Sequence, residues 1–226
     1  MAWRQFLVFD LDGTLIDSAP DIADAVNILL GELGKPALPL DEIKAMIGDG
    51  APVLLARALK ASALPHAATE LMPRFKTVYE AASTNRTALY PKVRELLESF
   101  RRDGRHLSLC TNKPSATTRL VLDHFGLSPL FHAVVGGDTM KERKPAKEPL
   151  LAAIAQSGGD PVRAADTAVM IGDSRTDLAT AKAGGVPGVI IPSGYGRPAN
   201  RAEQGDYHEI ARFADLPGIL TALDQN

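Results

Sequence analysis

The 226-residue chain has a single cysteine, Cys110, so no disulfide can form within it and a disulfide-stapled secreted scaffold is excluded. It has no apolar run near the ~20 residues that a membrane-spanning helix needs. The earliest apolar stretch is cut by Asp10 and Asp12, which also breaks the pattern of a secretory leader. Positive charge is not in excess. A formal net charge of −2 leaves no basic footprint for nucleic acid or an anionic membrane, so any affinity for anions has to be local. A reducing, cytoplasmic location is expected. The chain also lacks the G-x-x-x-x-G-K-[ST] nucleotide loop and the G-x-S-x-G nucleophile elbow. "DLDGTLIDSAPD" is no calcium loop, because it lacks a third oxygen ligand before its glycine and a glutamate at position twelve. The histidines, His66, His106, His124, His132 and His208, fall without ligand or relay spacing and read as structural or surface residues. No sustained heptad argues for a particular oligomer, which leaves monomer and homodimer open.

A composition of 45% hydrophobic and 23% charged residues is that of a globular protein with a substantial core. "FLVF" (6–9) reads as a strand buried on both faces. From about 17 to 88 strand signals vanish. "PDIADAVNILLGELG" places Ile22, Val26, Leu29 and Leu33 at helical spacing, and "LDEIKAMIG", "APVLLARALKA" and "ATELMPRFKTVYEAA" continue that period, with a break or kink expected at Pro73. After residue 88 helices alternate with the apolar strands "LSLC", "AVV", "AVMIG" and "GVII". That alternation predicts a parallel sheet covered on both faces. The tail reads as a polar loop from about 195, a short strand near "EIARF" and a last helix, "LPGILTAL". The expected organisation is an α/β core of residues 1–17 and 88–226, interrupted by a helical insertion over 18–87.

The polar residues fall where strands end. Two adjacent carboxylates behind a buried strand, in "FLVFDLDGTLIDS", repel each other and resist desolvation, so a positive partner is expected there. Parallel sheets bind ligands beyond the carboxyl ends of their strands. Those ends supply Asp10 and Asp12, Thr111 and Asn112, Asp173 and Asp177, and the loop "ERKPAKEP" adds Lys144. A carboxylate cluster without histidine or cysteine ligands suits a hard divalent cation, Mg²⁺ best. Cys110 lies within "LSLC" and reads as a small buried hydrophobe, and Arg101 with Arg102 as a solvated helix end.

"DLDGT", "TN" after a strand, a lysine before proline, and "GDSRTD", in that order along nearly the whole chain, resemble the four signature motifs of the haloacid dehalogenase superfamily. The resemblance implies a Rossmann-like α/β core with a helical cap inserted after the first motif. It implies Asp10 as nucleophile and Asp12 as general acid and then base. Mg²⁺ would be held by the Asp10 carboxylate, the Asp12 main-chain carbonyl and the Asp173 carboxylate. Thr111 and Asn112 would hold phosphoryl oxygens, Lys144 would neutralise charge and orient Asp10, and Asp177 would support the metal or Lys144.

Within that superfamily "MIGDGAPVLLARAL" (46–59) resembles the cap segment of phosphoglycolate phosphatases. That likeness implies hydrolysis of 2-phosphoglycolate, a small phosphorylated metabolite, with Gly48 and Gly50 turning amides toward the cleft and Arg57 a candidate for the substrate carboxylate. A solvated helix face is the competing reading of Arg57. Lys147 stands where the family usually has a proline. Other readings on the same scaffold are a sugar-phosphate phosphatase, a pyrophosphatase or a β-phosphoglucomutase-like enzyme. A haloacid dehalogenase would need neither the metal nor the acid at Asp12. A phosphonoacetaldehyde hydrolase would need a Schiff-base lysine, for which nothing marks Lys44 or Lys60. A non-catalytic phosphate-binding protein would be expected to have lost one of Asp10, Asp12, Lys144 or Asp173, and all are present.

Overall fold

A computed structural model describes residues 3–192, 195 and 207–225. The chain enters the core through β1 (Phe6–Phe9), whose four side chains are all buried. Phe6 and Val8 pack on one side and Leu7 and Phe9 on the other, the alternation any strand imposes. β2 (Ile16–Asp17) pairs antiparallel with β3 (Ala88–Leu89), far along the chain. Between them run α1 (Ala19–Glu32), α2 (Leu40–Lys44), α3 (Ala51–Ala61) and α4 (Ala68–Ala82). These helices bury an apolar cluster of their own that includes Val26, Leu29, Leu55, Leu59, Phe75 and Tyr79.

The break expected at Pro73 does not occur, and α4 runs unbroken through it. The carbonyl that proline leaves without its usual donor belongs to Thr69, an exposed residue that water can serve. Phe75 and Tyr79, beyond the proline, are held in the cluster with α1 and α3.

The rest of the chain alternates: α5 (Val93–Arg102), β4 (His106–Cys110), α6 (Ser115–His124), β5 (Ala133–Val135), α7 (Glu148–Gln156), α8 (Ala164–Thr167), β6 (Ala168–Gly172), α9 (Arg175–Gly184), β7 (Gly188–Ile190), β8 (His208–Glu209) and α10 (Leu216–Gln225). The six-stranded sheet has the order β5-β4-β1-β6-β7-β8 and every pairing in it is parallel. Apolar side chains of α5, α6 and α10 cover one face, and those of α7, α8 and α9 the other. The strand expected near "EIARF" lies slightly earlier. His208 and Glu209 pair with β7 and the Ile210 N–H donates to the Ile190 carbonyl, after which the chain turns and buries Phe213 beneath the sheet. The polar loop expected from about 195 falls mostly outside the described residues. Among the described residues no helix is long and apolar enough to cross a membrane.

β1 is central, with β4 on one side and β6 on the other. The chain connections diverge there, so the carboxyl end of β1 opens into the crevice where parallel sheets bind ligands.

Candidate active site

Asp10 continues β1 by one residue, its N–H donating to the Ile171 carbonyl at 2.9 Å. A tight loop follows, closed by Gly13 N–H to the Ile16 carbonyl at 2.8 Å and Leu15 N–H to the Leu11 carbonyl at 2.9 Å. Gly13 has φ +85°, and a Cβ there would lie 2.3 Å from Asp173 Oδ2. Only glycine lets this loop press against the carboxylate that ends β6.

Three acids meet at this point. Ligand atoms of Asp10, Asp173 and Asp177, all buried, lie within 4.8 Å of one another. Asp177 is already engaged: Oδ1 accepts from Lys144 Nζ at 2.6 Å, and Oδ2 accepts from the Asp173 and Ser174 N–H groups and the Ser174 hydroxyl. Those bonds arise because Ser174 and Asp177 form a capping box at the start of α9. Asp177 therefore orients its neighbours and has little left to offer an ion. Asp173 Oδ2 accepts the Tyr195 N–H at 2.7 Å. Lys144 Nζ also stands 2.9 Å from Asp10 Oδ1. It lies off the direction of a good hydrogen bond, so this buried oxygen has a charge beside it and no donor aimed at it. Such an orphaned oxygen, among hard carboxylate donors against a glycine-made recess, fits a divalent cation held by Asp10 and Asp173.

Electrostatics follow from this crowding. Burial pushes the Asp10 carboxyl up from 3.8 to about 6, against the pull of Lys144. Burial opposes the Lys144 ammonium too, but Asp10 and Asp177 more than offset it and hold it above the ordinary lysine value. Beneath the site Cys110 is buried, its thiol pushed up to about 12 by that burial, which leaves it inert.

Asp12 points elsewhere. Its carboxylate accepts the Ser18 hydroxyl at 2.6 Å and the Lys113 ammonium at 2.9 and 3.1 Å. Lys113 follows Thr111 and Asn112 at the end of β4, and it donates to the Tyr79 hydroxyl at 2.5 Å. Burial opposes its charge and Asp12 more than restores it, so Lys113 is held protonated. Asn112 Nδ2 donates to the carbonyls of Lys144 and Gly48, at 3.1 and 3.3 Å.

A cavity of about 80 Å³ lies between the carboxyl edge of the sheet and the inserted helices. Asp10, Asp12, Thr111, Asn112 and Lys113 form its floor, and its roof is apolar: Ile22, Ile47, Leu54, Met72, Phe75 and Tyr79. Gly48 and Gly50 line it as well. Gly50, at φ +89°, precedes α3, and a Cβ there would lie 3.4 Å from the Asn112 carbonyl oxygen. Arg57 is not brought to this cavity. Its guanidinium donates to Asp49 Oδ2 and the Met46 carbonyl, in a separate cleft bordered by Thr176 and Arg175. Asp49 in turn accepts the Thr176 hydroxyl at 2.8 Å, a bond between inserted helices and core. Lys147 is exposed at the start of α7.

Sequence reasoning missed Lys113, Tyr79, Ser18 and Tyr195. Lys113 had a usable signal, since it directly follows the strand-end pair Thr111-Asn112. Tyr79 had none, because at one turn from Phe75 it reads as part of the core stripe of α4.

Six parallel strands with acids and a lysine converging on the end of the central one define a phosphoryl-transfer type of α/β hydrolase site. The chain belongs to the haloacid dehalogenase-like hydrolase family, whose profile matches residues 7–191. A phosphoglycolate phosphatase of Caulobacter vibrioides is 42% identical over 220 residues, covering 96% of this chain and 91% of that protein. One from Cereibacter sphaeroides is also 42% identical over 220 residues, covering 96% and 98%. The crystal structure of a predicted phosphoglycolate phosphatase from Haemophilus somnus superposes with a TM-score of 0.87 at 29% identity, over 97% of this chain and 99% of that one.

Proposed function

We propose that the protein is a Mg²⁺-dependent phosphomonoesterase that hydrolyses 2-phosphoglycolate to glycolate and phosphate in the cytoplasm. The observation that carries this reading is a buried Asp10 oxygen with no donor aimed at it, in the same small cavity as a second, separately anchored carboxylate, Asp12. The relatives named phosphoglycolate phosphatase support the choice of substrate.

Asp10 attacks phosphorus, the phosphorus–ester oxygen bond breaks, and Asp12 protonates the departing glycolate oxygen. Asp12 then takes a proton from water as that water attacks the aspartyl-phosphate, which releases phosphate and restores Asp10. Thr111 and the Asn112 N–H hold phosphoryl oxygens, and Lys144 holds Asp10 in line. The Asp10 and Asp173 carboxylates with the Asp12 carbonyl would hold Mg²⁺, which when bound neutralises charge on the phosphoryl group. Uncatalysed monoester hydrolysis can demand ~10²¹-fold acceleration, roughly 29 kcal/mol. Positioning supplies about 7 to 11 kcal/mol of this, so the buried charges and the covalent step have to supply the remainder.

The test is kcat/KM with Mg²⁺ and with EDTA over 2-phosphoglycolate, sugar phosphates, nucleotides and pyrophosphate. 2-Phosphoglycolate is expected to lead by at least ~10-fold, a difference of about 1.4 kcal/mol. Preference for another ester overturns the substrate, and absence of metal-dependent turnover on the whole panel overturns the reaction.

A further inference from the structure

We infer that Lys113 is the receptor for a carboxylate on the substrate's leaving group, and that it makes the site selective for small phosphate esters of α-hydroxy acids. This rests on the phosphoester reaction at Asp10 and Asp12 proposed above.

The cavity presents two described lysines. Lys76 stands at its edge, exposed and within 3.7 Å of Glu80. Lys113 is buried, its side chain 2% exposed, and lies on the floor. A charge so deep is costly unless it is paired, and among the described residues the one charged partner of Lys113 is Asp12. Both of its carboxylate contacts come from the single group of Asp12, and its third partner is the neutral Tyr79 hydroxyl. An ammonium has three donors and Asp12 takes two of them, so a second carboxylate can replace one of those contacts or the Tyr79 hydroxyl while Lys113 stays paired with Asp12.

Position follows from the leaving group. For Asp12 to protonate the ester oxygen, that oxygen has to come within hydrogen-bond reach of its carboxylate. In 2-phosphoglycolate the carboxylate carbon is two bonds from that same oxygen, so it arrives beside Asp12, where Lys113 Nζ already stands at 2.9 Å. Arg57 lines a neighbouring cleft instead, where it is tied to Asp49.

The roof argues for selectivity as well as affinity. Apart from the Tyr79 hydroxyl and Lys76 at its edge it has only apolar side chains, so a polyol chain laid against it would bury hydroxyls with few partners. A short acid places its one polar group on Lys113. Tyr79 belongs to α4 and Lys113 to the end of β4, so the receptor is complete only with the inserted helices in place over the core.

The experiment compares 2-phosphoglycolate with its carboxamide analogue, 2-phosphoglycolamide, on wild type and Lys113→Gln with Mg²⁺. Wild type is expected to prefer the acid by ~100-fold in kcat/KM, as buried charge partners do. In Lys113→Gln both rates fall, because Asp12 loses its partner, and the preference collapses to within ~3-fold. A preference that persists in the variant, or equal rates in wild type, overturns the receptor. Metal-dependent turnover of neither ester by wild type overturns the reaction beneath it, a separate result. Should Lys113→Gln not fold, a crystal structure of Asp10→Asn with 2-phosphoglycolate decides. The carboxylate is expected within ~3.2 Å of Lys113 Nζ, and one lying on Arg57 or in solvent overturns the assignment.

Discussion

Asp10→Asn separates the electrostatics of the site from its chemistry. Without metal, burial raises the Asp10 carboxyl from 3.8 to about 6. The folded value is the higher one, so between those limits the folded chain keeps a proton that the unfolded chain has lost. The resulting stability is complete below 3.8 and is lost as pH rises through 6. At pH 7.5 an ionised Asp10 therefore costs about 3 kcal/mol, at 1.36 kcal/mol for each pH unit of that rise. Asparagine has nearly the same shape and never ionises. In EDTA at pH 7.5 the variant is expected to melt about 6–12 °C above wild type, from 2–4 °C per kcal/mol for a chain of this size. The gap narrows as the pH falls toward 4. Mg²⁺ narrows it from the other side, because the ion stabilises the protein whose ligand is intact. Melting curves across pH with and without Mg²⁺, together with a turnover assay, check each part. A variant no more stable than wild type at pH 7.5, or a gap insensitive to acid, refutes the electrostatic argument. Hydrolysis at the wild-type rate removes Asp10 from the nucleophile role.

Lys144→Met leaves Asp10 and Asp177 buried without their cation and is expected to cost about 3–5 kcal/mol in urea unfolding, with loss of turnover; a cost under about 1 kcal/mol contradicts the pairing. Gly13→Ala drives a Cβ into Asp173 at a positive φ. It is expected to weaken Mg²⁺ by roughly 10- to 100-fold, read from calorimetric titration and from activity against Mg²⁺ concentration. Unchanged affinity in that variant would place the ion away from Asp173.

The strand ends could be read from sequence because a buried parallel strand is a continuous apolar run, and a charged residue closing such a run has few structural excuses. Asp10 after "FLVF" and Asp173 after "AVMIG" are of this kind, and the sheet brings both together with Lys144. Contacts across the cavity are a different matter. The place of Lys113 after Asn112 marks it as near a strand end, but its partners are not legible until β4 sets its direction and Asp12 and Tyr79 converge on it. Arg57 on α3 reads from sequence as either a substrate contact or a solvated helix face, and its pairing with Asp49 is a contact that spacing alone does not reveal. Of the break or kink that Pro73 suggests, the break does not occur, because apolar packing holds α4 on either side of it.

Ile16 pairs with Leu89 and Asp17 with Ala88, so the polypeptide leaves the sheet layer and returns to it through one doorway about 5 Å wide. Asp21 bolts that doorway, its buried carboxylate accepting the N–H groups of Arg86 and Thr87 and the Thr87 hydroxyl. None of the six parallel strands lies between these two ends. The two ends of the inserted helices are thereby clamped to each other, so the floor of the cavity keeps its strand register however its roof is arranged.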